Sequence, residues 1–453
     1  MSDRQTSSVT TSCAGSDAPV RFPRARFRQA VALLENVLAG TQPADRALDA
    51  WFRAHRNMGA QDRGFAAETV YGCLRRRREL EALIAPLQSA AVPQAEWLVA
   101  AWLVYFGGWS ARALAAAGFA GDPVVLVTCA RGFASETQPF AVRANLPDWL
   151  AERWRARYGE TEALALAAAL NEAAPVTLRA NTLKIDRHAL RARLAEEGHA
   201  LEPTRFAPHG LWRRARTPLF ATQAFREGLF ELQDEASQLA ALLLAPQPGE
   251  RVADFCAGAG GKTLALGAQM RNTGALYAFD VSRARLARLR PRLARAGLDN
   301  VRVVPLDGLG DKRLKRLRES FDAVFVDVPC SGTGTLRRNP DIKWRSLDLA
   351  ALRREQEAIL ATAARLVRPG GRLVYATCSL LEEENEGAMA AFLAAHADFS
   401  ITPPATVLAE QGVREAERLV ERDALILYPH RHGTDGFFAM RCERIGAAPR
   451  RRT

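Results

Sequence analysis

The stretch RVADFCAGAGGKT, Arg251 to Thr263, decides how the rest of the chain is read. A short apolar run, RVADF, ends in a loop of glycine and alanine, and LALGAQM continues from it with a helical pattern. Strand, glycine loop and helix in that order open a parallel α/β sheet, with a ligand seated beyond the carboxyl end of the strand. Gly261, Lys262 and Thr263 at the end of the loop suggest a phosphate cradle, and AVFVD (Ala323 to Asp327) would pass for its magnesium-binding strand. The phosphate template is G-x-x-x-x-G-K-[ST], and here its first glycine position is Cys256. It therefore fails where the backbone has to wrap the phosphates. The dinucleotide pattern G-x-G-x-x-G, anchored at Gly258 and Gly260, needs glycine at Thr263 and fails too.

A third template is the looser D-x-x-x-G-x-G loop of S-adenosylmethionine enzymes, which Asp254, Gly258 and Gly260 satisfy. Asp280, at the end of ALYAFD, is then placed for the ribose hydroxyls, and Asp307, at the end of VRVVPLD, for the adenine amino group. From Gly249 onward, strand patterns at RVADFCA, ALYAFD, VRVVPLD, FDAVFVDV and GRLVYATCS alternate with helical ones. This predicts a Rossmann-like, doubly wound, mostly parallel sheet over residues 241–446. Pro291, inside SRARLARLRPRLARAG, predicts a kink or a break in that helix.

Outside this region the rhythm differs. Residues 23–140 read as an all-α domain, with apolar residues at three- and four-residue steps in RARFRQAVALLENVLAG and again in AEWLVAAWLVYF. Residues 141–240 read as a small α+β module containing the strand VTLRANTL and the helix HALRARLAEEG. Residues 1–22 and 447–453 read as a disordered polar tail and a basic tail. At 453 residues, with 48% hydrophobic and 25% charged residues, the chain has the composition of a soluble protein of two or three domains. No apolar run reaches the length of a bilayer span, and cysteines without a disulfide framework imply a reducing cytoplasm. The net charge of +12 suits a polyanionic partner. Seven cysteines without a CxxC pair argue against a disulfide framework and against a zinc site. No metal is expected, and a monomer is the simplest state.

DVPCSGTGT (Asp327 to Thr335) and YATCSLLEEEN (Tyr375 to Asn385) each put a cysteine just past a buried strand, at the ligand edge of the sheet. Gly332 and Gly334 are read as allowing close backbone approach to a flat group. Carbon 5 of cytosine is too weak a nucleophile to attack a methyl sulfonium directly. A thiolate added at carbon 6 pushes electron density to carbon 5, which takes the methyl group, and loss of the carbon 5 proton then expels the thiolate.

On DFCAGAGGKT, FDAVFVDVPCSGTGTLRRNPDIKW, GGRLVYATCSLLEEENE and DGFFAMR, the chain resembles the RsmB-like (Sun, or Fmu) RNA cytosine-C5 methyltransferases. The likeness runs from about Pro175 to Arg444, and the N-terminal helices look like a NusB-type RNA-binding domain. The resemblance implies that Cys378 is the nucleophile and that Cys330 assists product release. It also implies that Asp327 contacts the cytosine edge and that Lys262 lies by the substrate and the methionine end of the cofactor. S-adenosylmethionine would be held by Cys256, Ala257, Gly258, Ala259, Gly260, Gly261 and Lys262, then by Asp280, Asp307 and Asp327. Ala259 stands where many members carry proline. The substrate implied is small-subunit ribosomal RNA, with transfer RNA as the alternative. Basic candidates for RNA contact are Arg75 to Arg78, Arg213, Arg214, Arg216, the run DKRLKRLRES, and Arg337, Arg338, Lys343 and Arg345. Trp344 is a candidate base stacker, and His430 and His432 are assigned to a polar loop near RNA. Two other readings compete: an RNA-binding assembly factor without turnover, and a nucleotide hydrolase.

Overall fold

The computed structural model describes residues 23–40, 42–88, 90–214 and 217–446. The two predicted tails and Arg216 lie outside the described residues. The chain divides into two compact units: one runs to Asn171 and also takes in Asn339–Arg345, and the other holds Glu172–Arg338 and the chain from Ser346 onward.

The first unit is helical. In Pro23–Ala39, Phe27, Ala30, Leu33, Leu34 and Val37 are buried at helical spacing, which makes one apolar stripe. Gln94–Tyr105 is buried on most of its circumference and forms the centre of the bundle. Gly72 lets Trp102 pack hard against the Ala60–Arg75 helix, since a Cβ there would lie 2.3 Å from the indole.

The segment Asn339–Arg345 corrects part of the sequence reading. Lys343 is 2% exposed, and its Nζ donates to the carbonyls of Arg75 (2.9 Å) and Asn145 (2.7 Å) and to Asn171 Oδ1 (2.9 Å). The Trp344 Nε1–H donates to the Leu74 carbonyl at 2.6 Å, and the ring packs on the core of the bundle. Neither side chain is placed to meet RNA. Three acceptors match the three N–H groups of an ammonium, although burial, with Arg75 and Arg76 nearby, pushes its pKa down. Replacing Lys343 by Met strands all three acceptors, and thermal or urea unfolding is expected to show a loss of roughly 3 kcal/mol. The neighbouring arginines are likewise engaged within the protein: Arg76 with Glu79, Arg77 with Glu81 and Arg78 with Asp148.

The second unit holds two sheets. Strands β1 (Val176–Ala180), β2 (Glu202–Pro203), β3 (Gly210–Arg213) and β4 (Phe230–Leu232) form an antiparallel sheet in the order β2-β3-β1-β4. Its core is Leu178, Leu211 and Phe230 with Leu190 and Leu194 of the helix Arg187–Glu196.

The larger sheet contains β5 (Arg251–Asp254), β6 (Ala275–Asp280), β7 (Val301–Pro305), β8 (Phe321–Asp327) and β9 (Val367–Thr377), parallel in the order β7-β6-β5-β8-β9. These are the five strands expected from the sequence. Beyond β9 the sheet continues antiparallel through β13 (Phe437–Arg444), β12 (Ala424–Leu427) and β11 (Val420–Glu421), and β10 (Phe399–Ile401) pairs with β13. The sequence reading did not foresee this extension. Most of β13 is buried without alternation, so no period-2 signal marks it.

The helix Arg283–Ala296 runs unbroken through Pro291. Leu286, Leu289, Leu293 and Ala296 fix its inner face, while Pro291 and Ala287, whose carbonyl loses its ladder partner, are exposed to water.

Candidate active site

The strand order reverses at β5. The chain runs outward through β6 and β7, then returns to lay β8 and β9 on the other side. The carboxyl ends of β5 and β8 therefore flank the crevice where open α/β sheets take their ligands. A cavity of about 990 Å³ opens there. It is lined by the glycine loop, Asp280, Asp327, both cysteines, and Leu232 to Asp234 at the end of the smaller sheet.

The loop following β5 has two residues with left-handed backbone. Gly258 (φ 56°) donates its N–H to Asp280 Oδ2 at 2.8 Å, and Asp280 Oδ1 accepts the Ser282 N–H at 2.6 Å. Gly260 (φ 86°) is needed for packing, because a Cβ there would lie 2.1 Å from Leu289 Cδ1. Cys256, Ala257, Gly258, Ala259, Gly261 and Lys262 line the cavity, and Gly260 does not. Asp307 departs from its expected place. Its side chain is 73% exposed and pairs with Arg283 at 3.0 Å, while Leu306, Gly308 and Leu309 on either side of it face the cavity. A strand-end position in sequence does not fix which way a turn residue points.

Asp254 is 1% exposed. Its Oδ2 accepts the Thr263 hydroxyl at 2.6 Å, and its Oδ1 meets no donor among the described residues. Burial chiefly raises its pKa from 3.8 to about 7, against the Thr263 hydrogen bond. A folded-state pKa above the unfolded value gives stability that is full below 3.8 and is lost as pH rises through 7. Asp254→Asn removes this dependence. Between pH 4 and pH 7 its unfolding free energy should gain on the wild type by up to about 1.4 kcal/mol per pH unit.

At the other end of the cavity Lys262 Nζ donates to Asp327 Oδ2 at 2.7 Å and lies 5.2 Å from the centre of the Phe437 ring. Burial works against the ammonium, but the Asp327 carboxylate outweighs it and the Lys262 pKa is raised. The Cys330 and Cys378 sulfurs are 3.3 Å apart. The hydrogen bond to Cys378, then burial, pushes the Cys330 thiol well above its usual value. Burial, with Asp327 next, does the same to Cys256.

Several residues singled out in the sequence serve inside the protein instead. The Gly334 N–H donates to the Cys378 carbonyl at 2.9 Å, and the Gly436 N–H donates to the Gly334 carbonyl at 2.8 Å. A Cβ on Gly334 would sit 2.1 Å from the Gly436 carbonyl oxygen. Its freedom thus ties the two cysteine loops to the segment Asp435–Phe438, and makes no approach to a flat ligand. Arg337 and Arg338 are tied down as well: their Nε atoms donate to the two oxygens of Asp435 at 2.5 and 2.6 Å, and both reach Asp234 Oδ2. They hold the segment preceding β13 against the loop after β4, which takes them out of the set of RNA contacts. His432, in the short helix Pro429–His432, accepts the Tyr428 N–H at 2.9 Å, and burial lowers its pKa to about 4. It is a neutral structural residue.

A family model described as 16S rRNA methyltransferase RsmB/F matches residues 241–442, and one described as the RsmF/B-like ferredoxin-like domain matches residues 146–216. The chain is 32% identical over 423 residues to a probable ribosomal RNA small subunit methyltransferase B of Synechocystis, covering 87% of this chain and 94% of that one. It is 33% identical to ribosomal RNA small subunit methyltransferase B of Thermus thermophilus, covering 85% of this chain and 90% of that one. The crystal structure of PH0851 aligns with a TM-score of 0.74 at 27% identity, over 92% of this chain and 99% of that one.

Proposed function

The chain belongs to the RsmB/F family of ribosomal RNA methyltransferases, and on that premise we propose that it methylates carbon 5 of a cytosine in small-subunit (16S) ribosomal RNA through a covalent bond to Cys378. The methyl donor is S-adenosylmethionine, which supplies an electrophilic methyl group on its sulfonium. The cradle fits it. Gly258 leaves backbone open to the cavity, Asp280 stands at the end of the second parallel strand for the ribose hydroxyls, and Val281, Leu306, Leu309 and Ile359 provide apolar walls for a base. The volume is in the range of sites that enclose ligands of this size.

The observation that carries the proposal is the pair of sulfurs 3.3 Å apart beside the Lys262–Asp327 ion pair. The target cytosine, extruded from its stack, enters between the sheet edge and the wall formed by Leu232 and Gln233. Asp327 accepts from its exocyclic amino group, and Lys262 holds that carboxylate in place through its 2.7 Å contact. The Cys378 thiolate bonds to carbon 6, and carbon 5 takes the methyl group. Loss of the carbon 5 proton to solvent then re-forms the ring double bond and breaks the bond to sulfur, and Cys330 assists release by giving its proton to the departing Cys378 sulfur. A ribosomal RNA substrate fits the cytoplasmic location expected from the sequence.

Bisulfite sequencing of RNA from a strain without the gene tests the target. Loss of a 5-methylcytosine in 16S ribosomal RNA is expected. An unchanged 16S pattern, or a loss confined to transfer RNA, would overturn the ribosomal assignment.

A further inference from the structure

Each of the two paired cysteines is followed by a serine, as Cys330-Ser331 and Cys378-Ser379, and the structure shows what this repeated dipeptide touches. Ser331 Oγ and Ser379 Oγ lie 3.0 Å apart, and the two sulfurs that precede them in the chain are 3.3 Å apart. Both serines bind one carboxyl group. Glu384 Oε1 accepts the Ser331 backbone N–H at 2.8 Å, and Glu384 Oε2 accepts the Ser379 hydroxyl. Gln356 Nε2 ties the same Oε1 (2.8 Å) to the carbonyl of Pro329 (2.9 Å), the residue before Cys330. Glu384 is itself fully buried, and its neighbour Asn385 donates to the Ser379 carbonyl at 2.9 Å.

We propose that Glu384 is a positioning residue that sets the separation of the two reactive sulfurs by binding the residue after each of them. The inference rests on the cytosine-C5 reading given above. Cys330 sits in a loop after β8 and Cys378 in a loop after β9, and the Gly334 N–H to the Cys378 carbonyl (2.9 Å) and the Leu380 N–H to Thr333 Oγ1 (2.8 Å) already join the two loops on their far side. The Glu384 carboxyl, with one oxygen toward each loop, adds the tie at the residues next to both sulfurs. A glutamine keeps the shape but has one acceptor oxygen and one donor nitrogen, so with its oxygen on the Ser331 N–H it forces Ser379 Oγ to accept, in competition with the Leu381 N–H that this oxygen already accepts, and the tie to that loop weakens.

The test uses the full chain with Glu384→Gln, and with Ser379→Ala as a milder variant that leaves the carboxyl in place. Two quantities are read: steady-state methyl transfer to 16S RNA, and alkylation of Cys378 and Cys330 by iodoacetamide against pH, resolved by peptide mass spectrometry without RNA. For E384Q, kcat should fall by about 100-fold, as for a misplacement near 1 Å. The KM for RNA and the Kd for S-adenosylmethionine should stay within about threefold. The alkylation profiles of the two cysteines should move toward each other as the sulfurs separate. S379A should show the same changes, with a fall in kcat of about tenfold. A folded E384Q with unchanged alkylation profiles, or a loss of cofactor affinity in step with kcat, would overturn the assignment. Alkylation is read on the protein alone, so it judges the clasp even if the methylated nucleoside proves not to be 5-methylcytosine.

Discussion

Cys378→Ala is expected to abolish methyl transfer to RNA, lowering the rate by on the order of 10⁴-fold or more, while S-adenosylmethionine still binds. The sulfur is half-buried at the cavity and the fold does not depend on it. Thr377 and Ser379 on either side are fully buried and hold the loop through Asn385 and Glu384. The cofactor loop after β5 makes its contacts with Asp280 and Leu289, neither of which touches Cys378. Loss of activity with retained cofactor affinity, read by transfer of labelled methyl and by calorimetry, therefore isolates the nucleophile. Transfer that survives the substitution would remove Cys378 from the mechanism.

Cys330→Ala should behave in the opposite way. Its thiol is held protonated by the hydrogen bond to the Cys378 sulfur and by burial, within 3.3 Å of the atom that must leave the methylated base. Addition and methyl transfer do not need that proton, whereas release uses it: solvent takes the carbon 5 proton, the carbon 5–carbon 6 double bond re-forms, and the Cys330 thiol gives its proton to the departing Cys378 sulfur. The variant should accumulate a protein–RNA adduct that withstands denaturing electrophoresis, with turnover reduced by about 100-fold or more. A variant with no adduct and no turnover would mean that Cys330 acts before the bond forms, contrary to the division of labour proposed.

The five parallel strands were legible because each is a short apolar run ending in a small or acidic residue, with a helical pattern between. The loop and both cysteines were legible because their chemistry demands particular residues at strand ends. Orientation was not. Asp307 occupies the expected place in sequence and turns to Arg283, while Arg337, Arg338, Lys343 and Trp344 look like RNA-facing groups and are consumed by contacts within the protein. Such pairings join residues far apart in the chain, up to 270 positions for Trp344 and Leu74, and leave no local pattern. Glu384 lay hidden among five consecutive acidic and amide residues, Glu382 to Glu386, whose pattern does not say which of them turns inward. The repeated Cys-Ser pair was the visible trace of its role.

In the proposed mechanism Cys378 forms the bond to the base. RNA carrying 5-fluorocytosine at the target position blocks the final proton loss, so the wild-type chain should stop as a covalent complex after methyl transfer. Digestion and peptide mass spectrometry should find the methylated nucleotide on the peptide containing Cys378. Finding it on Cys330, or finding no adduct while the unmodified RNA is methylated normally, would contradict the account.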